Sequence, residues 1–213
     1  GHGQTRTKFQ KTIDFIFFPI RCFFIMTEGA LLLSSLRDER MEVVAKFCCG
    51  KVLDVGCGPG NLFIKDYIGH EKGIGIDVYP YSGVDNIYTD PCNLPFPDNS
   101  FDTITLIAVG GHIPKNKRDD EFSEFSRILK TNGRLIFTSG EPITQYIVHK
   151  WGEFYFSLLG QKDMDTERGM DHDEEYCMPY KEIVHYLNTK PLKLVKHHKF
   201  MWNLNNVYIA KKF

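Results

Sequence analysis

From about residue 51 to 139 the chain alternates short, apolar, β-rich runs with helical patterns, and this alternation restricts the fold more than any other feature. Lys51 to Val55 (KVLDV), Gly73 to Val78 (GIGIDV), Val84 to Tyr88, Phe101 to Ile107 (FDTITLI) and Arg134 to Thr138 read as strands. Runs with so few polar residues suit strands buried on both faces of a parallel sheet. Lys117 to Leu129 reads as a helix, with an apolar stripe at Phe122, Phe125, Ile128 and Leu129. The succession predicts right-handed βαβ units in an open, helix-covered sheet. Two further β-like runs, Leu192 to Met201 and Val207 to Lys211, are separated only by Trp202 to Asn206. That gap is too short for a parallel crossover, so the last strand should be antiparallel.

The flanks differ from this core. Glu28 to Phe47 reads as a helix stopped by Gly50, and belongs to an N-terminal helical arm over residues 4–47. Residues 141–180 break the alternation with an aromatic helix-like stretch, Tyr146 to Leu159, and an acidic run. They read as an insert that caps the ligand edge of a domain over residues 48–213. Phe15, Phe17, Phe18, Phe23 and Phe24 in the arm, with Tyr146, Trp151, Phe154, Tyr155 and Phe156 in the insert, form the apolar side of such a cap.

A chain of 213 residues with 42% apolar content can bury a core without disulfide or metal staples. Its net charge of -1 argues against a general nucleic-acid binder, so no nucleic-acid partner is expected. The six cysteines form no C-x-x-C pair, which fits a reducing cytoplasm. Ile13 to Met26 is the most apolar stretch, but Asp14, Pro19 and Arg21 interrupt it, and neither a membrane span nor a signal peptide is expected. In the acidic run Asp163 to Glu175, Arg168 stands where a calcium loop needs its tight-turn glycine, and no metal is assigned.

Val52 to Gly60 (VLDVGCGPG) ends the first strand in a cluster of glycines. Such a loop lets backbone N–H groups approach a ligand without Cβ interference. Its G-x-G-x-G spacing differs from the G-x-G-x-x-G of dinucleotide sites. Asp77 ends the second strand 21 residues after Gly56, where a carboxylate can accept from two ribose hydroxyls. Asp90 follows the third strand and could accept from an adenine amino group. Leu94 to Asp102 (LPFPDNSFD) then leads into the fourth strand, and Arg127 to Arg134 reads RILKTNGR.

Taken together, Val52–Gly60, Asp77, Asp90, Leu94–Asp102 and Arg127–Arg134 resemble the class I S-adenosylmethionine-dependent methyltransferases, in order and at family spacing. The resemblance implies an α/β, Rossmann-like, seven-stranded, mostly parallel sheet with the last strand antiparallel. It implies S-adenosylmethionine as cofactor and S-adenosylhomocysteine as product. Gly56, Cys57, Gly58, Gly60 and Asn61 would lie against the methionine moiety and sugar, with Asp54 supporting the amino group. Asp77 and Val78 would hold the ribose, Asp90, Pro91 and Cys92 the adenine edge, and Ile107 and Ala108 would border the sulfonium. Pro91 lacks the backbone N–H that relatives often offer to an adenine ring nitrogen, and Cys92 N–H could substitute.

Methyl transfer from a sulfonium is an in-line displacement in which positioning supplies much of the acceleration. His112, just past the fourth strand, is the candidate base or acceptor-orienting group; its alternative reading is a histidine bonded to loop backbone. The acceptor reads as a small, hydrophobic or aromatic molecule. Two alternatives keep the same cofactor, a lipid or quinone and a macromolecule (protein or RNA); a third is an NAD(P)-binding oxidoreductase. The arm is locally basic through Arg6, Lys8, Lys11 and Arg21 against Asp14, and beside that charge its apolar residues 13–26 would suit contact with an anionic membrane surface.

Overall fold

The computed structural model describes residues 6–23, 32–142 and 177–213, together with Tyr146, Ile147, Lys150, Trp151, Phe154 and Ser157. The acidic run and most of the aromatic insert lie outside the described residues.

The strands are β1 (Val52–Val55), β2 (Gly73–Asp77), β3 (Asn86–Ile87), β4 (Phe101–Ile107), β5 (Leu129–Gly140), β6 (Leu192–Phe200) and β7 (Asn205–Lys212). They form one sheet in the order β3-β2-β1-β4-β5-β7-β6. Pairing is parallel from β3 to β5, and β7 runs antiparallel to both β5 and β6. The expected α/β sheet with an antiparallel last strand is what the chain forms. β5 is longer than the sequence suggested: it starts at Leu129 opposite Phe101, and Asn132 takes up a left-handed conformation (φ 63°) before the register resumes at Arg134.

The helices are α1 (Lys8–Ile16), α2 (Phe18–Phe23), α3 (Leu36–Ala45), α4 (Arg118–Ile128) and α5 (Tyr180–Leu187). The helix expected from Glu28 starts only at Leu36. There the Ser35 hydroxyl accepts from Asp38 N at 2.9 Å, the N-cap bond that fixes a helix start. The β1–β2 link carries only short helical turns, Pro59–Asn61 and Ile64–Ile68, and the β2–β3 and β3–β4 links run as loops. Pro80, Pro91, Pro95 and Pro97 fall in those two loops, and each removes a backbone donor a helix would need.

The period-2 alternation of β5 and β7 separates two cores. Leu135, Phe137, Tyr208 and Ala210 face α4 and α5 through Phe122, Phe125, Ile128, Ile183 and Leu187. Ile136, Val207 and Ile209 face Met41, Val44, Phe63, Ile64 and Phe18 on the other side. Each fully buried aliphatic or Phe side chain contributes roughly 1.5–3 kcal/mol. Arg127 locks the Leu94–Asp102 segment onto α4: it donates to Leu94 O at 3.1 Å and pairs with Asp98 at 2.6 Å and Glu124 at 2.7 Å. Glu124 in turn accepts from Leu94 N at 2.7 Å.

The arm is built inside out. Its buried face is polar: Arg6 meets Asp14 at 2.9 Å, Glu39 at 3.0 Å and Glu42 at 2.6 Å, and Arg21 meets Glu39 at 2.6 Å. Arg21 also donates to Ser34 O and Ser35 O, tying the arm to the start of α3. Its outer face is apolar, with Phe9, Phe15, Ile16 and Phe17 exposed. Among the described residues of the arm, Phe18 enters the core and Cys22 packs against it, and Trp202, on the β6–β7 turn, lies against Phe15 and Phe18 and donates to Phe15 O at 2.8 Å.

Burial would raise the Glu42 pKa, but Lys11, Arg6 and Lys46 hold it down to about 2. A carboxylate lowered from 4.5 contributes stability above that value and loses it as pH falls toward 2, on the order of 3 kcal/mol here. In a Trp151→Phe background, where Trp202 is the sole indole, its emission should shift red over that acidic range. Glu42→Gln should produce the same shift at pH 7. Unchanged Trp202 emission in Glu42→Gln would show that the ion pairs do not hold the arm.

Candidate functional site

A cavity of about 430 Å³ opens over the C-terminal ends of β1, β2 and β4. This is the edge where parallel α/β sheets receive ligands, since the loops leaving the strands diverge there. Asp54, Gly56, Cys57, Gly58, Asp77, Val78, Pro91, Ile107, Ala108 and His112 all line it. Gly60, Asn61, Asp90 and Cys92 are not among its lining residues. Gly60 N donates to Ser82 O at 2.7 Å, and the fully buried Asn61 donates to Asp85 at 2.8 Å, so both clamp the loop that precedes β3. Asp90 accepts from Cys92 N at 3.3 Å and turns the chain after β3.

The glycine loop has two different reasons for its glycines. Gly56 (φ 71°) is packed tight: a Cβ there would meet Val109 Cγ1 at 2.5 Å. Gly58 (φ 67°) faces open space, with nothing within 4 Å of where a Cβ would stand. Its N–H is already turned inward and donates to Asp77 Oδ2 at 2.9 Å, while Asp77 Oδ1 accepts from Tyr79 N at 3.0 Å. The carboxylate is thus oriented by two backbone donors before any ligand arrives.

Asp54 lies in the middle of β1, flanked by Gly75 of β2 and Thr105 of β4. Its carboxyl accepts from Thr105 Oγ1 at 2.6 Å. Burial, with a smaller contribution from the charge of Asp77, pushes its pKa up to about 7 against that hydrogen bond. Glu121, on the first turn of α4, is also buried at the cavity wall and is raised to about 7, chiefly by desolvation. Both carboxyl groups are raised chiefly because the wall shields them from water, and a cationic ligand group beside Asp54 would draw it back toward the ionised form.

The loop beyond β4 is held firmly. Ala108 takes a left-handed conformation (φ 60°) and donates to Thr138 Oγ1 at 3.0 Å. Gly110 packs under Phe137 so closely that a Cβ would stand 2.1 Å from the ring. Arg118, fully buried, donates to Ile113 O at 3.1 Å and pairs with Glu182. His112 N donates to Val109 O at 2.9 Å, and the residue lines the cavity. Arg37, Arg40 and Met41 of α3 complete the wall, which sequence reasoning did not assign. Their i, i+3, i+4 spacing puts them on one helix face, and that spacing was the available signal.

Residues 53–137 match the family model described as a methyltransferase domain. Sterol 24-C-methyltransferase ERG6B of Gibberella zeae is 35% identical over 100 residues, covering 39% of this chain and 26% of that protein. The mouse protein named probable tRNA methyltransferase 9B is 31% identical over 91 residues, covering 40% and 20%. The chain therefore spans only 26% and 20% of the length of these two relatives. A Bacteroides fragilis methyltransferase solved with S-adenosyl-L-homocysteine shares the fold, at TM-score 0.53 and 15% identity over 81% of this chain and 76% of that one.

Because the Asp54 pKa is raised from 3.8 to about 7, the folded chain is penalised by its ionisation as pH climbs through that window, on the order of 4 kcal/mol above pH 7. Asp54→Asn should therefore raise the Tm of the ligand-free protein by about 5 °C or more at pH 8. The gain should shrink toward pH 4, and a gain independent of pH would refute the assignment.

Proposed function

We propose that this chain, a class I S-adenosylmethionine-dependent methyltransferase by its domain and fold, transfers a methyl group to a small hydrophobic or aromatic acceptor. The observation that carries the reading is the pre-oriented Asp77 carboxylate beside the open backbone of Gly58, over the C-terminal ends of β1 and β2. When bound, S-adenosylmethionine supplies an electrophilic methyl group on a positive sulfur.

The residues present fit that cofactor. Asp77 would accept from the ribose hydroxyls, with Val78 against the sugar. Gly56, Cys57 and Gly58 would lie along the methionine chain, with Gly60 and Asn61 supporting the loop from behind. The Asp54 carboxyl would meet the positive end of the cofactor, which draws it back toward the ionised form. Pro91 would border the adenine, with Asp90 and Cys92 shaping the turn beneath it. Ile107 and Ala108 would exclude water from the reacting centre. His112 would take or steer the acceptor's proton, since it lines the same cavity as Ala108.

A second reading, a lipid or quinone acceptor met at a membrane surface, is favoured by the outward apolar face of the arm at Phe9, Phe15, Ile16, Phe17 and Ile20. Among the described residues no helix is long and apolar enough to cross a membrane. Cosedimentation with phosphatidylglycerol vesicles should fall when Phe9, Ile16 and Phe17 are replaced by Ser; equal partitioning would dismiss it.

Calorimetric titration tests the leading reading. S-adenosylhomocysteine should bind the wild-type chain, and Asp77→Asn should weaken it by about tenfold or more, the loss of a charged acceptor. His112→Ala should leave that affinity within about twofold and lower turnover of a hydroxyl-bearing acceptor by about 100-fold. Undiminished binding in Asp77→Asn would sink the ribose assignment.

A further inference from the structure

We infer that Arg40 is an anion-recognition residue of the acceptor site, and that the acceptor is an apolar molecule carrying a carboxylate that anchors it there. This rests on the reading of the cavity as a methyltransferase site. Arg6, Arg21, Arg118 and Arg127 all meet carboxylates. Arg40 does not. Its hydrogen bond is from Nη2 to Asn205 Oδ1 at 3.0 Å, and no Asp or Glu among the described residues lies within ion-pair distance. Its Nε is out of contact with solvent and has no acceptor. Desolvation pushes the guanidinium pKa down to about 10, and no carboxylate offsets it.

Arg40 is partly exposed, but a guanidinium whose Nε is withdrawn from solvent with no counter-ion is destabilising, and such a group in a pocket wall is accounted for when its partner arrives with the ligand. A guanidinium suits a planar carboxylate, which can accept from Nε and a terminal nitrogen together. Arg37 stands one turn back on the same helix face, and the rest of the neighbouring wall is apolar, with Met41, Leu62, Ile107 and Val109.

Strand order favours the acceptor over the cofactor as the source of this anion. Asp77 ends β2, whereas Asn205, which tethers Arg40, begins β7 opposite Gly140 of β5. Four inter-strand spacings separate β2 from β7, roughly 19 Å. The tether therefore stands beyond β4, on the side of the cavity away from the ribose position.

The test is calorimetric titration with dodecanoate and with dodecan-1-ol, each with and without saturating S-adenosylhomocysteine, on the wild type, Arg40→Met and Arg40→Lys. Dodecanoate should bind the wild type about tenfold or more tightly than the alcohol, a margin typical of a charge-assisted hydrogen bond. Arg40→Met should abolish that preference and Arg40→Lys should keep part of it. Affinity for S-adenosylhomocysteine should change by less than about twofold, and the Tm of Arg40→Met should equal or exceed that of the wild type, because an unpaired charge is gone.

Three results would overturn the inference: no preference for dodecanoate in the wild type, a preference that survives Arg40→Met, or a lowered Tm in both variants. Loss of S-adenosylhomocysteine binding in Arg40→Met, with 5′-methylthioadenosine binding unchanged, would also overturn it by assigning Arg40 to the cofactor's own carboxylate. If the wild type bound no S-adenosylhomocysteine, the methyltransferase reading would fail separately, and the cofactor-free arms would still report on Arg40.

Discussion

One hydrogen bond joins the two loops on which the cavity depends. Gly58 N, in the turn after β1, donates at 2.9 Å to the Asp77 carboxylate at the end of β2. That bond requires the left-handed backbone of Gly58, and it fixes the direction in which the remaining carboxylate lone pairs point. Gly56 must also be glycine, because Val109 of the β4 loop fills the space where its Cβ would be. The floor is therefore assembled from three strand ends at once, and adjusting one of them disturbs the others.

The mostly parallel pairing and the antiparallel last strand were legible in the sequence, because apolar runs alternating with helical patterns, and a final link too short for a crossover, admit few arrangements; the strand order itself appears only in the folded sheet. Asp77 and the glycines were legible for a related reason: closely spaced glycines after a buried strand have few uses. The meaning of the other motifs was less visible. Arg127 clamps the Leu94–Asp102 segment to α4, so both serve mainly the frame of the site, and of that segment Leu94 lines the cavity. Asn61 and Asp90 likewise sit in the right stretch of chain yet hold loops, a distinction that depends on side-chain direction and not on spacing.

The contribution of α3 was hidden for a physical reason. The run Leu36 to Met41 holds four consecutive charged residues of both signs, Arg37 to Arg40, which by composition reads as a solvated surface. Folding sorts them: Glu39 turns to the arm, where it meets Arg6 and Arg21, while Arg37 and Arg40 turn to the cavity. The helix is amphipathic in charge sign more than in hydropathy, and a hydropathy pattern alone is blind to that. The arm misled in the opposite sense, since its apolar residues suggested a buried face and its buried face is ionic.

That inversion gives the arm an unusual response to dissolved salts. An ordinary docked helix grips through apolar contact, and sulfate or phosphate tightens it by making exposed apolar surface costlier. Here the inner face is a set of ion pairs around Arg6, Glu39 and Glu42, which concentrated salt weakens to the extent that water reaches them. The outer face carries Phe9, Ile16 and Phe17, which the same salts drive out of water. The ion pairs are mostly shielded from water and Phe18 packs with Trp202, so the inner face resists salt, while the outer face gains affinity for any apolar surface nearby. The arm can therefore gain a partner on its outside without giving up its hold on the inside.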